Sequence, residues 1–82
     1  MLIDNGYKLL SKEVRYVDEK DMGMFICKLR KENNMTQMEL AQQLHVTDKA
    51  VSRWERGIGY PDIQLLPALS ESLHVSVAEL IS

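Results

Sequence analysis

The chain has 82 residues, 45% of them hydrophobic and 27% charged, and its formal net charge is −2. A chain of this length forms one small domain, which buries only about 60–65% of its unfolded surface and needs an efficient core. It has neither an apolar run long enough to cross a membrane nor a signal-peptide pattern at its start. Its single cysteine, Cys27, excludes an internal disulfide and a cysteine-rich zinc site. We therefore expect a cytoplasmic protein without a membrane partner.

Charge is distributed unevenly along the chain. Residues 1–21 carry four basic and five acidic side chains, residues 22–57 carry six and four, and residues 58–82 carry none and three. The net charges of the three blocks are therefore −1, +2 and −3. Proteins that bind nucleic acid neutralise phosphates with Lys and Arg, and only the middle block has an excess of these residues. The excess is too small to identify a nucleic-acid binder by itself.

Helical spacing dominates from residue 22 onward. Asp18 or Asp21 would cap a first helix. The pair Asn33 and Asn34 would end it, since Asn tolerates left-handed backbone and competes for backbone hydrogen bonds. The predicted apolar face of this helix consists of Met22, Phe25, Ile26 and Leu29.

Two short helices are predicted next. Thr36 and Glu39 have the spacing of a capping box at the start of the first. Thr47 would cap the second, and Gly57 is a natural residue to follow its end. The apolar residues that these two helices would share in one core are Leu40, Ala41, Leu44, Val46, Val51 and Trp54.

The last third of the chain predicts two more helices. Asp62 would start the first of them, but Pro67 is awkward inside a helix, so we expect either a kink or a helix that begins near Leu66. Ser76 and Glu79 resemble another capping box, which opens a short final helix. The expected inward residues are Leu65, Leu66, Leu69, Leu73, Val77 and Leu80, with Ile81 as a further candidate.

Residues 1–20 are interpreted as an N-terminal extension and residues 21–82 as the domain. Residues 7–10 and 14–17 have the composition of a strand pair or hairpin. Disorder and a helix with Leu10, Val14 and Val17 on one face remain open for the same stretch.

Residues 37–45 and 47–56 match a helix-turn-helix, in which the second helix enters the major groove of DNA. Ala41 supplies the small residue that the close crossing of the two helices needs. Residues 29–80, almost two-thirds of the chain, carry the patterns TQxELAxxLxV and TxxAVSRWExG, followed by PD and spaced leucines. This stretch resembles the phage repressor and Cro type of helix-turn-helix, the xenobiotic-response-element regulators. The resemblance implies an all-α, compact five-helix repressor-like DNA-binding domain.

His45 and His74 depart from the family, which usually has glycine at these positions. Histidine is enriched at positive φ, so both are expected to end helices in left-handed conformation at a modest cost in stability. Two histidines without a carboxylate cluster do not make a metal site, and no cofactor is expected.

Several residues match positions that contact DNA in this family. Asp48, Lys49 and Arg53 match those that reach base edges: Lys49 and Arg53 suit guanine, and Asp48 suits the amino group of cytosine. The alternative for Asp48 is that it repels phosphates or pairs with a neighbouring cation. Trp54 is expected in the core, Cys27 as a small packed side chain, and Glu55 paired with a nearby cation rather than bound to DNA. The candidate phosphate contacts are Gln37, Thr47 and Ser52, followed by Lys28, Arg56 and Tyr60.

The resemblance implies a bacterial or phage transcriptional regulator at the nucleoid, specifically a repressor that binds a palindromic operator as a homodimer. Few phosphate contacts per copy favour two half-sites, and the dimer surface would be either the final helix or the N-terminal extension. The alternative is an antitoxin-like protein-interaction module that also regulates its own gene. An enzyme is disfavoured, because the sequence has no nucleophile–base pair, Gly-rich phosphate loop or carboxylate dyad.

Overall fold

The fold is a set of short helices joined by tight turns, seen in a computed structural model that describes residues 18–81. Within this range there are five α-helices and no strand, as the resemblance implied. No helix in the described part is long and apolar enough to span a membrane. The helices are α1 Glu19–Glu32, α2 Gln37–Leu44, α3 Asp48–Glu55, α4 Leu66–Leu73 and α5 Val77–Ile81, with a 3₁₀ turn at Ile63–Leu65 before α4.

The predicted strand pair or hairpin lies in residues 7–17, outside the described residues. Helix α1 begins at Glu19, inside the stretch that the sequence assigned to the N-terminal extension. The division of the chain into residues 1–20 and 21–82 stays a prediction.

Two reciprocal capping boxes start α2 and α5, as the sequence predicts. The Thr36 hydroxyl accepts a hydrogen bond from the Glu39 amide (3.0 Å), and the Glu39 carboxylate accepts one from the Thr36 amide (2.8 Å). Ser76 and Glu79 repeat the pair at 3.0 and 2.8 Å. Each box satisfies two backbone N–H groups that would otherwise lack a partner at the start of a helix.

Single side chains cap the other two helices of the N-terminal half. The Asp18 carboxylate accepts from the Asp21 amide (2.7 Å), so the first of the two predicted caps is the one used. The Thr47 hydroxyl accepts from the Ala50 amide (3.1 Å) at the start of α3. The bounds of both helices therefore follow from residues that the sequence identifies.

Three non-glycine residues in left-handed conformation end helices or follow them. His45 (φ 58°) ends α2, His74 (φ 60°) ends α4, and Asn34 (φ 58°) follows the end of α1 at Asn33. Gly57 (φ 78°) takes the same role after α3. The predicted left-handed conformation of both histidines is confirmed, and each holds a backbone that glycine adopts without steric cost.

We predict that His45→Gly and His74→Gly each raise the free energy of unfolding by about 0.5–1 kcal/mol, because they remove the left-handed strain. The measurement is urea denaturation. Gln42→Gly, at an exposed position inside α2, is the control and should lower stability by about 1 kcal/mol. A loss of stability in both histidine variants would contradict the prediction.

Pro67 is accommodated by a late helix start rather than by a kink. The Asp62 carboxylate accepts from the Gln64 amide (3.0 Å) and caps the 3₁₀ turn, after which α4 begins at Leu66. Pro67 thus lies in the first turn of α4, where a missing N–H removes no intrahelical hydrogen bond. Of the two alternatives for this segment, the second is correct.

The core lies where α3 packs against α1 and α2 while α4 and α5 close the other side. Trp54 is buried in it, as expected. Leu65 and Leu66 are only half-buried, and Ile81 is 48% exposed. Ile81 is therefore not a core residue, since it follows buried Leu80 and points about 100° away from it around the helix. The buried apolar residues are Met22, Ile26, Leu29, Leu40, Ala41, Leu44, Val51, Trp54, Leu69, Leu73 and Leu80.

Helix α1 approaches the end of α3 unusually closely at Gly23. A Cβ atom placed on Gly23 would lie 2.1 Å from the carbonyl oxygen of Trp54 and 3.1 Å from that of Glu55. These atoms are backbone and cannot rotate away. Glycine at this position therefore sets how near α1 lies to the last turn of α3.

Gly23→Ala should lower the free energy of unfolding by about 1–3 kcal/mol, because the added methyl group forces the two helices apart. This expected loss of stability is opposite to the effect of helix propensity, which favours Ala over Gly by about 1 kcal/mol. Met24→Ala, at the exposed neighbouring position, should change stability by less than about 0.5 kcal/mol. Urea denaturation of both variants checks the prediction, and a stabilised Gly23→Ala would refute it.

Candidate nucleic-acid interface

Helices α2 and α3 form a helix-turn-helix with a three-residue turn. The turn is closed by two backbone hydrogen bonds, from His45 N–H to the Gln42 carbonyl (3.3 Å) and from Val46 N–H to the Ala41 carbonyl (3.0 Å). Ala41 is buried in the core that the two helices share. The left-handed His45 reverses the chain so that α3 packs on α2, as the sequence predicts for this motif.

Helix α3 has a buried side and an exposed side. Val51 and Trp54 face the core. Lys49 and Arg53, four residues apart and therefore on one face, are exposed, and Asp48 is exposed at the first position of the helix. No ion pair within residues 18–81 engages either cation. The structure thus brings the three predicted base-contact residues to the surface of α3 and leaves their charged groups available.

The predicted phosphate contacts within the motif lie at the starts of α2 and α3 and along the last two turns of α3. Thr47, exposed at the start of α3, uses its hydroxyl oxygen as an acceptor and keeps its O–H to donate. Near the other end, the Arg56 Nε donates to the Ser52 hydroxyl (3.3 Å), so these two residues form a pair. Gln37 is half-buried at the first position of α2.

The remaining two candidates lie outside the motif helices. Lys28, on α1, forms an ion pair with Glu32 at 3.0 Å, in which the side chains are 65% and 55% exposed. An exposed pair of this kind is weak, but it cancels part of the Lys28 charge. Tyr60 is about half exposed in the loop between α3 and α4.

A buried ion pair lies behind the motif; the sequence predicts a cation partner for Glu55 but does not identify which residue it is. The Glu55 carboxylate accepts from Arg30 Nε (2.6 Å) and Nη2 (3.0 Å), and the two side chains are only 5% and 10% exposed. Arg30 Nη1 also donates to the Met35 carbonyl (2.7 Å), immediately before the α2 cap. Gln37 Nε2 donates to Glu55 Oε1 (3.0 Å). The expected cation partner of Glu55 is therefore Arg30, and Gln37 is tied to the pair.

No local signal marks this cluster in the sequence. Arg30 and Gln37 lie 25 and 18 positions from Glu55. Spacing along one helix cannot relate residues on three different helices, so only the packing of α1, α2 and α3 brings them together.

The cluster keeps both of its ionisable groups charged. Burial opposes ionisation of Glu55, but hydrogen bonds from Arg30 and Gln37 outweigh it, so the pKa of Glu55 lies below its ordinary value. The hydrogen bond to Glu55 raises the already high pKa of Arg30. Around neutral pH the pair is therefore an ionised salt bridge whose two side chains make five hydrogen bonds, including one from Arg30 Nη2 to the Cys27 sulfur at 3.8 Å.

Acid should destabilise the domain through Glu55. A carboxyl group with a lowered pKa in the folded state contributes stability that is present above its unfolded-state pKa and is lost as the pH falls through the folded-state pKa. The loss should begin below about pH 4.5. An NMR titration of the Glu55 carboxyl carbon, alongside urea denaturation across the same pH range, tests this. A midpoint at or above the ordinary glutamate value would refute it.

The comparison with known families agrees with this geometry. A family described as helix-turn-helix matches residues 28–80, more than half of the chain. The chain belongs to the helix-turn-helix family of the phage repressor type.

The similar proteins include both an activator and a repressor of transcription. The chain is 44% identical over 54 residues to the HTH-type transcriptional activator BcrR of Enterococcus faecalis, an alignment that covers 66% of this chain and 26% of that protein. The chain thus matches about a quarter of the length of this relative. The P22 c2 repressor, solved with a synthetic operator, has a TM-score of 0.71 at 34% identity, covering 74% of this chain and 92% of that one. The clp gene regulator ClgR of Corynebacterium glutamicum has a TM-score of 0.70 at 27% identity, covering 76% and 66%.

Proposed function

We propose that this chain binds double-stranded DNA in a sequence-specific manner by inserting α3 into the major groove, and that it acts as a transcriptional regulator rather than an enzyme. The observation that carries the proposal is the exposed face of α3. It presents Asp48, Lys49 and Arg53 opposite the buried Val51 and Trp54. An α-helix with hydrogen-bonding side chains on one face fits the width of the major groove and can read base edges there.

The three base-contacting side chains favour G·C base pairs. Arg53 can donate two hydrogen bonds to N7 and O6 of guanine, and Lys49 can donate to the same atoms as a point charge. Asp48 accepts hydrogen bonds only, so it suits the amino group of cytosine and disfavours acceptor groups at the same position. We therefore expect a half-site with at least one guanine and one cytosine in contact with α3.

Phosphates on either side of the groove would be held by the starts of α2 and α3. The first N–H groups of a helix point outward, and the helix dipole attracts anions. Gln37 and Thr47 add a side-chain N–H and O–H at these two points. Contacts of this kind fix the position of the domain on DNA without reading its sequence.

We propose that two copies bind a palindromic operator. The motif has only three basic residues, Lys49, Arg53 and Arg56. Outside it, Arg30 is buried in an ion pair and residues 58–82 contain no Lys or Arg. One copy therefore makes too few phosphate contacts for tight specific binding, whereas two copies on half-sites about 34–36 Å apart double them. The exposed Ile81 on α5 fits the expectation that the final helix contributes to the dimer surface.

We propose repression as the direction of regulation, since a dimer in the major groove excludes other proteins from the same site. The name of BcrR shows that a related domain also serves activation. A reporter with the operator overlapping the promoter and one with it upstream would separate the two. Repression predicts lower expression from the reporter with the overlapping operator and no change from the reporter with the upstream operator. We place this activity at the nucleoid, in the bacterial cytoplasm.

Selection from random-sequence duplexes tests DNA recognition directly. Arg53→Ala should relax the preference at one or two base pairs and weaken binding by about 1–3 kcal/mol. Gln37→Ala should weaken binding to all sequences alike. Gln42→Ala, at an exposed position of α2, is the control and should leave the affinity unchanged. Failure to enrich any motif at low salt would refute sequence-specific binding.

A further inference from the structure

The side-chain amide of Gln37 has a defined orientation in the free domain. Its Nε2 donates to Glu55 Oε1 at 3.0 Å, and Glu55 Oε2 is occupied by Arg30 Nε at 2.6 Å. A carboxylate only accepts hydrogen bonds, so the nitrogen of the amide and not its oxygen must face Glu55. One N–H of Gln37 is then used inside the domain, and its second N–H remains available.

We propose that Glu55, itself held by Arg30, is a positioning residue that fixes the Gln37 amide so that its second N–H is ready to donate to a DNA phosphate. The proposal rests on the proposed function, because it assigns Gln37 to a phosphate. It adds a task for Glu55, which the sequence predicted to have no binding role. Glu55 does not touch DNA and acts only through Gln37.

The fixed orientation of the Gln37 amide affects DNA affinity, because a free glutamine side chain is one of the most mobile amino-acid side chains. Burying or fixing such a side chain costs up to about 1.5–2 kcal/mol of rotamer entropy. When the side chain is already fixed before binding, less of this cost falls on the complex. A glutamine whose oxygen faced outward would also present an acceptor to a phosphate, which is itself an acceptor.

Arg30 allows the Glu55 carboxylate to position Gln37 close to a DNA phosphate. An unpaired Glu55 near the start of α2 would repel phosphate, but Arg30 neutralises it through two hydrogen bonds. The same guanidinium donates to the Met35 carbonyl, at 2.7 Å, just before Thr36 caps α2. Arg30 therefore fixes the backbone that leads into α2 and, through Glu55, the first side chain of that helix.

A double-mutant cycle in DNA binding separates positioning from a merely structural role. The full chain carrying Gln37→Ala, Glu55→Gln or both is titrated with a duplex enriched by selection. Each single change should lower the affinity about threefold to tenfold, since one charge-assisted hydrogen bond is weakened or lost. Glu55→Gln should have almost no further effect when Gln37 is already Ala. Gln42→Ala is the matched control and should leave the full effect of Glu55→Gln in place.

The outcomes distinguish this proposal from the proposed function. If the wild-type chain binds no duplex at low salt, both are overturned. If it binds and the two substitutions act independently, only the positioning role is overturned.

A second measurement keeps the proposal testable if Glu55→Gln does not fold. In the free wild-type chain, the ¹⁵N relaxation of the Gln37 side-chain amide should show a rigid group, whereas the exposed Gln42 and Gln64 should be mobile. The Gln37 amide resonance should also shift as Glu55 is protonated. A Gln37 amide as mobile as that of Gln42 would overturn the proposal.

Discussion

The buried ion pair between Arg30 and Glu55 links the three helices α1, α2 and α3. Arg30 comes from α1, Glu55 ends α3, and the pair holds Met35 and Gln37 on both sides of the α2 cap. Removing one member of such a pair leaves an uncompensated charge in the interior, which typically costs about 3–5 kcal/mol. The close approach at Gly23 brings the same two helices, α1 and α3, together at a second point. The position of α3 relative to α2 is thus fixed by the ion pair at the end of α3 and by apolar packing along the length of α3.

Much of the local structure could be predicted from the sequence, because it depends on neighbouring residues. The Thr36 and Ser76 capping boxes, the left-handed His45 and the apolar face of α3 each involve residues within one or two turns. The sequence allows two alternatives for the start of α4, since Pro67 is compatible with a kink as well as with a first-turn position. Ile81 was misplaced because a five-residue helix offers too little periodicity to define its buried face.

The candidate site was predictable as a set of residues but not as a network. The resemblance assigned Lys49, Arg53 and Gln37 to DNA, and the structure brings the first two to one exposed face of α3. Only the folded structure shows which basic side chains remain available to contact DNA. Lys28 is paired with Glu32 four residues along the same helix, a pairing that spacing allows, whereas Arg30 is used inside the domain by Glu55, which only the packing of the helices brings near. Counting charges therefore does not show which cations are available, since Arg30 is included in the count although it is buried in an ion pair.

The acidic composition of the last third of the chain gives the domain an electrostatic polarity. Asp62, Glu71 and Glu79 are all exposed, in the 3₁₀ cap, α4 and α5, and no cation from residues 58–81 offsets them. A polyanion that approaches this side is repelled, whereas one that approaches α3 is attracted. In the proposed complex with DNA, this polarity favours encounters in which α3 faces the duplex. The position of these acidic residues thus favours one orientation of binding, even though their charge opposes binding when only the total is considered.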